Sequence, residues 1–322
     1  MPGIPGLLTW WARRPPAAGA AVMATGIVSV GLDQTGAETL SLVFLAVACV
    51  LWLALAADFA VRLLGQPRRW AAEARSPGGL TAVAATAVLG TRFSALGARA
   101  LAEALLALAA VLWAVLLFLV LRHWKPRMPG TVFLACVATQ ELAVLAATLA
   151  AAGSTVWLAR AAMVLFWLGL ILYGLAFAHF DPRQMLVGAG DHWILGGALA
   201  NSALCGAKLL AANSARMYLW NDDDEYVLRN VTVVLLVLDL TAYAVLLAAE
   251  ALRPRLRYDE RRWATVFPMG MSAVSTLSVA AALGVGWLNP PGRVLVWVAV
   301  AAWLAVAAGA ALTARGGTPG PR

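Results

Sequence analysis

The chain has 322 residues, of which 62% are hydrophobic and 12% are charged, and its mean hydropathy is +0.81. Soluble globular domains are roughly 45–50% apolar and 25% charged, so this composition excludes a soluble protein and indicates an integral membrane protein. The net charge of +8 does not indicate nucleic-acid binding, because the basic residues are spread over alternate loops.

Ten apolar windows of about 20 residues follow one another along the chain, and each is long enough to cross a hydrocarbon layer of about 30 Å. They lie near residues 16–32, 40–63, 79–97, 101–121, 131–151, 155–178, 192–212, 226–249, 263–285 and 293–313. The connections are short, so we expect a single domain over residues 1–322 without a separate catalytic module. The windows form five antiparallel hairpins, a recurrence typical of transporters built from repeats.

The basic residues predict the orientation of these windows. Most of the 24 Lys and Arg residues precede the first window or lie in the even-numbered connections and the tail, whereas an odd connection carries the acidic run 222–225. By the positive-inside rule, both termini are expected to be cytoplasmic, with an N-terminal segment over residues 1–14 and a tail over residues 314–322. The expected location is the cytoplasmic membrane, with a multi-pass topology.

Polar residues divide the windows into two kinds. The odd windows carry glycines and polar groups, such as Thr25 in the first, whereas most even windows contain Leu, Val, Ala and Trp with charges only at their ends. This difference predicts odd helices inside, around an axis, and even helices outside, facing lipid. Asp239 in the eighth window is the exception, and we expect it to make a structural hydrogen bond.

The ninth window, Trp263–Leu283, contains an internal proline. Pro268 lacks a backbone N–H and crowds the preceding turn, so a helix here is expected to bend or open locally, at a cost of about 3 kcal/mol. The freed carbonyls need hydroxyl partners or a watery cavity. Phe267 places a bulky ring at this bend among small residues, which makes Phe267 and Pro268 the candidate gate.

Charged residues deep in the windows are candidate site residues, because burying a charge in a bilayer costs about 2.5–3.5 kcal/mol on insertion scales. Arg92 has the forked shape that suits an oxyanion, with a structural ion pair as the alternative. Glu141, buried without a partner, would be protonated and is a candidate proton-coupling group; its alternative is to pair with Arg92. Gln140 beside it is a candidate anion donor, and Lys208 either binds the anion or extends to the surface.

Two histidine pairs, His179 with Asp181 and Asp191 with His192, carry the residue types of metal or acid–base sites. Their spacing is unspecific, and the three cysteines fall singly in different windows, so we expect no metal site and no cofactor. A membrane enzyme acting on lipid through His179 and Asp191 remains a third hypothesis for the function.

Five segments together resemble the tellurite-resistance/dicarboxylate transporter family, which includes TehA proteins, malate permeases, sulfite pumps and plant slow-type anion channels. They are MATGIVS at 23–29, VLGTRF at 88–93, VATQELAVLAA at 137–147, DHWILGGALANSAL at 191–204 and RRWATVFPMGMSAVSTL at 261–277. The resemblance implies an all-α membrane protein with ten transmembrane helices in five hairpins, odd helices lining a central pore, and a homotrimer. It also implies that Phe267 plugs the pore.

The fifth window departs from the repeatedly bent helices of the channel members, because no proline or glycine lies between Val132 and Ala152. The charges at Arg92, Glu141 and Lys208 suit a binding site better than a path that ions leave quickly. The first hypothesis is therefore a transporter of small anions, most of all C4-dicarboxylates such as malate or succinate, with proton coupling at Glu141. A gated anion channel or a sulfite or tellurite exporter is the alternative.

Overall fold

The computed structural model describes residues 19–153, 155–213, 219–252 and 258–316. Ten long helices in these ranges coincide with the ten apolar windows to within a few residues, so the helical prediction is confirmed. They are α1 Gly19–Gln34, α2 Glu38–Gly65, α3 Thr81–Ala95, α4 Arg99–Leu121, α5 Leu134–Gly153, α6 Val156–His179, α7 Ile194–Ala212, α8 Asp222–Leu252, α9 Trp263–Leu283 and α10 Asn289–Gly316. The predicted segment 1–14 and residues 317–322 of the predicted tail lie outside the described residues.

Eight helices in the described part of the chain are long and apolar enough to cross a membrane, some of them together with a 3-10 turn at their start. The two others, α1 and α3, have 16 and 15 residues, fewer than the roughly 20 that a straight span requires. The described residues form no β-strand, although Met128 and Phe180 pair in an isolated bridge. The protein is thus an all-helical membrane protein.

The odd-numbered helices pack against one another in a closed ring. The contacts run from α1 to α3, α5, α7 and α9, and α9 packs back on α1. Each even-numbered helix packs on the outside of this ring, against the helix before it and, less extensively, against the odd helix that follows. The odd helices therefore form an inner layer and the even helices an outer layer.

Side-chain burial follows these two layers. In the most apolar stretch of α5, 94% of the residues are buried, compared with 28% in its outer partner α6. Large apolar side chains on the outer helices remain uncovered, including Leu53, Val111, Ile171 and Trp297. Such side chains are stable in contact with lipid tails, as expected for helices that face a bilayer.

Helix α9 closes the ring through two glycine contacts. The Pro268 ring lies against Gly197 of α7, where a Cβ atom would be 2.8 Å from Pro268 Cγ. On the other side, a Cβ atom at Gly270 would be 2.7 Å from Ile27 Cγ2 of α1. Glycine at both positions allows the backbones to approach closely, which is how membrane helices pack.

The proline does not interrupt α9, which is a continuous helix from Trp263 to Leu283. Pro268 lies near the start of the helix, so the missing N–H deprives only the carbonyl of Ala264, one turn earlier, of its partner. The local opening expected from the sequence is therefore not present as a break. Asp239 of α8 accepts a hydrogen bond of 2.8 Å from Ser272 Oγ of α9, which confirms the structural role predicted for it.

Candidate functional site

A small chamber lies on the axis of the inner ring. Every odd-numbered helix contributes to its wall, and no even-numbered helix does; the lining residues are Ile27, Val30, Val88, Thr91, Glu141, Val144, Leu204, Lys208 and Val274. Its volume is about 10 Å³, which is about the space of one water molecule. This axial chamber is the place where all five inner helices meet.

Two ionisable side chains share the axial chamber. Glu141 of α5 is 1% exposed, and its Oε1 atom has no hydrogen-bond partner among the described residues. Lys208 of α7 is half-buried and forms no ion pair within the described part of the chain. A carboxyl group and an amine are thus both available at the axis, surrounded mainly by Val, Leu and Ile.

Arg92 is held at the end of the inner ring by a carboxylate that the sequence analysis did not single out. Its Nη2 atom lies 2.9 Å from Asp33 Oδ1 at the end of α1, and its Nε donates to Ser41 Oγ of α2 at 3.2 Å. Ser41 also donates to the carbonyl of Ser29 at 2.7 Å. Arg92 is only 2% exposed, so its guanidinium connects α1, α2 and α3 in the interior.

Asp33 belongs to α1, the helix whose residues Ile27 and Val30 line the axial chamber. Among the alternatives for Arg92, the structure shows an ion pair, and the partner is Asp33 rather than Glu141. The sequence did contain a signal for this pair. Asp33 directly follows the first apolar window, and Arg92 lies in the later part of the third window, which crosses the membrane in the same direction.

Gln140 and Thr25 connect inner helices to outer ones and do not line the axial chamber. Gln140 Nε2 donates to the carbonyl of Phe166 on α6 at 3.0 Å. Thr25 Oγ1 accepts a hydrogen bond of 2.9 Å from Trp303 Nε1 on α10. Successive residues of a helix point about 100° apart, so Gln140 faces outward although its neighbour Glu141 faces the axis.

Phe267 lies on the axis side of α9, nearer the start of the helix than the axial chamber. It precedes the chamber residue Val274 by seven positions, which places both on one face about 10 Å apart along the helix. The side chain is 1% exposed, so protein atoms surround the ring and no open passage runs past it. The role of Phe267 and Pro268 as a gate stays a prediction.

The histidine pairs do not form a metal site in the described ranges, where no group of three or more His, Cys, Asp or Glu side chains has suitable geometry. His179 is half-buried, with its Nδ1 atom 2.8 Å from the carbonyl of Leu175. Asp191 and His192 are instead buried at the start of α7. The two pairs thus differ in environment.

A comparison with curated proteins gives no match. The profile of the family described as voltage-dependent anion channel (SLAC1) matches residues 13–311, nearly the whole chain. The match includes the ring, the axial chamber and Phe267. Members of this family are anion transporters or channels rather than enzymes. The chain therefore belongs to the voltage-dependent anion channel family and shares its general function of moving anions across a membrane.

Proposed function

We propose that the protein transports small anions across the cytoplasmic membrane along the axis of the inner ring. The observation that carries this proposal is the axial chamber, which Lys208 and Glu141 both line among residues from all five odd-numbered helices. Lys208 forms no ion pair within 4 Å with any carboxylate in the described part of the chain. Its positive charge can therefore attract an anion to a site that has few other charges. In this proposal Phe267, whose side chain is 1% exposed, is the gate that closes the path.

C4-dicarboxylates are the proposed substrates, and a proton is the proposed coupling ion. One substrate carboxylate pairs with Lys208, while protonated Glu141 donates a hydrogen bond to a substrate oxygen. An ionised Glu141 would instead repel the dianion at close range. Substrate binding is then favourable only when Glu141 carries a proton, which links anion movement to the pH on the side to which the chamber opens.

The ring must widen during transport, because a chamber of about 10 Å³ does not hold a dicarboxylate.

We propose that all ten helices cross the bilayer as five hairpins around this pathway. The 3-10 turn Pro77–Leu80 lengthens the short helix α3 at its start. Both termini are proposed to be cytoplasmic, and the homotrimer implied by the family resemblance would use the outer helices.

A gated channel for inorganic anions is the second candidate, and the small size of the axial chamber and the enclosed Phe267 ring favour it. Phe267→Ala is then expected to raise chloride or nitrate current by about tenfold or more, since each 1.4 kcal/mol removed from a barrier gives a factor of ten. Phe133→Ala is the control, because Phe133 is equally buried but packs against Tyr173 and Phe180 away from the axis.

The decisive experiment measures flux into proteoliposomes, with malate, succinate, sulfite, nitrate or chloride supplied with and without a pH gradient. The carrier proposal predicts saturable dicarboxylate uptake that the pH gradient drives, that Lys208→Met abolishes, and that the exposed control Lys125→Met leaves unchanged. Non-saturating inorganic-anion current without pH dependence would replace the carrier by the channel. Absence of flux for every anion would contradict both candidates.

A further inference from the structure

A groove opens on the outer surface of the protein between α2 and α4, outside the inner ring that encloses the axial chamber. Both helices pack on α3 but not extensively on each other, so α3 forms the floor. The groove has a volume of about 280 Å³, and its long walls are mostly apolar, with Trp52, Leu55, Leu108, Leu112 and Leu116 among the lining residues. This lateral groove faces the hydrocarbon, because α2 and α4 are both candidate membrane spans.

The length of the lateral groove corresponds to one leaflet. Its lining residues on α2 run from Trp52 to Arg62, which is about 15 Å at 1.5 Å per residue. Those on α4 run from Leu108 to Leu116, or about 12 Å. Half of a hydrocarbon core of about 30 Å is about 15 Å. A single acyl chain fits this length, whereas a spanning helix of a partner would need a groove along the whole core.

The end of the lateral groove near the membrane surface is polar. Arg62, near the end of α2, is buried and pairs with Asp58 at 2.8 Å and Glu73 at 2.6 Å. Glu73 belongs to the short helix Pro67–Ala74, which also carries Arg68 and Arg69. This helix lies beside the ends of both walls, since it packs on α2 and on α4. Arg69 also pairs with Glu73 at 3.4 Å, so the apolar walls lead to a polar end where the three arginines outnumber the two carboxylates by one.

Trp70 supplies a hydrogen-bond donor at this polar end. Its indole ring lines the groove and packs edge-on against Phe59, with ring centroids 5.6 Å apart. The Nε1 atom is buried and has no acceptor among the described residues. A buried donor without an acceptor costs about 1–3 kcal/mol, so a ligand that brings an oxygen atom here gains affinity.

We propose that the lateral groove binds one phospholipid with an anionic headgroup from the leaflet in which α2 ends. One acyl chain lies between α2 and α4, and an ester or phosphate oxygen accepts the hydrogen bond from Trp70 Nε1. The exposed side chain of Arg68, which has no carboxylate partner within the described part of the chain, attracts the negative headgroup. This inference does not depend on which anion the protein transports.

The acyl-chain site is tested by native mass spectrometry of the delipidated full-length protein, titrated with phosphatidylglycerol or phosphatidylcholine. Ala56→Trp fills the groove, whereas Ala57→Trp places the same side chain on the exposed face of α2. We expect one tightly bound phosphatidylglycerol per chain, with affinity reduced by about tenfold or more in Ala56→Trp and unchanged in Ala57→Trp. Equal binding by both variants would overturn the proposal.

The headgroup contact is tested with a second pair of variants, which also serves if Ala56→Trp fails to fold. Trp70→Phe removes the N–H group and keeps an aromatic ring, and Trp157→Phe on the exposed surface of α6 is its control. We expect Trp70→Phe to weaken phosphatidylglycerol binding by about tenfold, the equivalent of one hydrogen bond. Equal affinity for the two lipids, or efficient Ala56→Cys cross-linking between two copies, would contradict a site for an anionic lipid.

Discussion

Glu141 is the residue on which the proposed proton coupling depends. Its carboxyl group is 1% exposed and Oε1 lacks a partner among the described residues, so the ionised form has little stabilisation in the axial chamber. Under the carrier proposal, an anion that enters the axial chamber beside Glu141 would interact more favourably with the neutral carboxyl group than with the carboxylate. The proposed coupling thus requires that a bound substrate alters the protonation of Glu141 through direct electrostatic interaction.

Glu141→Gln should remove the pH dependence of transport. Glutamine resembles the protonated acid and cannot ionise, so the variant is expected to retain flux at a high pH at which wild-type flux has declined. Substrate-driven flux in proteoliposomes over a pH series measures this, with Glu103→Gln on the exposed surface of α4 as the control. A pH profile identical to that of the wild type would exclude Glu141 as the proton site.

Arg92 is expected to stabilise the structure more than it binds substrate, because its guanidinium contacts Asp33 and Ser41 in the interior. Arg92→Met should reduce stability by about 1–3 kcal/mol, the cost of leaving buried polar partners unsatisfied. Lys208→Met, which breaks no ion pair with a described residue, should change stability less. Thermal unfolding of both variants in detergent gives the comparison; abolished flux with an unchanged Tm in Arg92→Met would identify Arg92 as a substrate ligand.

At the scale of the helices, α9 is the element that closes the ring. It packs against α7 and α1 through Gly197 and its own Gly270, and it carries Phe267 toward the axis. Asp239 of α8 binds Ser272 of the same helix. A movement of α9 thus changes contacts with α1, α7 and α8 together, and under the proposed function it is the displacement expected to open the path at Phe267.

Gly197→Ala should destabilise the contact between α7 and α9. The new Cβ atom would lie 2.8 Å from Pro268 Cγ and 3.1 Å from Pro268 Cα, so the helices must separate, at a cost of about 1–3 kcal/mol. Gly174→Ala on the outer helix α6 is the control, since nothing lies within 4 Å of its Cβ position. A Tm for Gly197→Ala equal to that of the control would show that this contact adapts without cost.

At the scale of the whole molecule, the two layers have separate roles. The inner ring contains the axial chamber and most of the buried polar residues, whereas the outer helices present apolar side chains to lipid. This division allows inner helices of only 15 or 16 residues, such as α3 and α1, to be covered by longer neighbours. The bilayer is thus in contact mainly with outer helices that are long enough to match it.

The proposed orientation can be checked by cysteine labelling in intact cells. Lys125→Cys, in the connection after α4, and Asp222→Cys, at the start of α8, introduce thiols at exposed positions on opposite predicted sides of the membrane. A membrane-impermeant maleimide is expected to label Asp222→Cys in intact cells and Lys125→Cys only after permeabilisation. The reverse pattern would invert the topology, and unmodified protein with its three cysteines sets the background.

The sequence by itself determined the membrane class, the ten helices, the family and the inner or outer tendency of each helix. These features follow from the length of apolar windows and from polar residues counted along them, which are local properties of the chain. Glu141 and Lys208 were found in this way, because ionisable residues are conspicuous in an apolar window. The prediction for Asp239 succeeded for the same reason.

Only the tertiary structure decided where each polar side chain points. It paired Arg92 with Asp33, directed Gln140 to α6 and Thr25 to α10, and left the lateral groove between α2 and α4. A helix of given sequence can be turned about its own axis, and a rotation of about 100° exchanges one residue for the next on any face. That rotation is set by packing against helices that are distant in sequence, as where Gly197 packs against Pro268. The spacing of residues within one window therefore does not predict it.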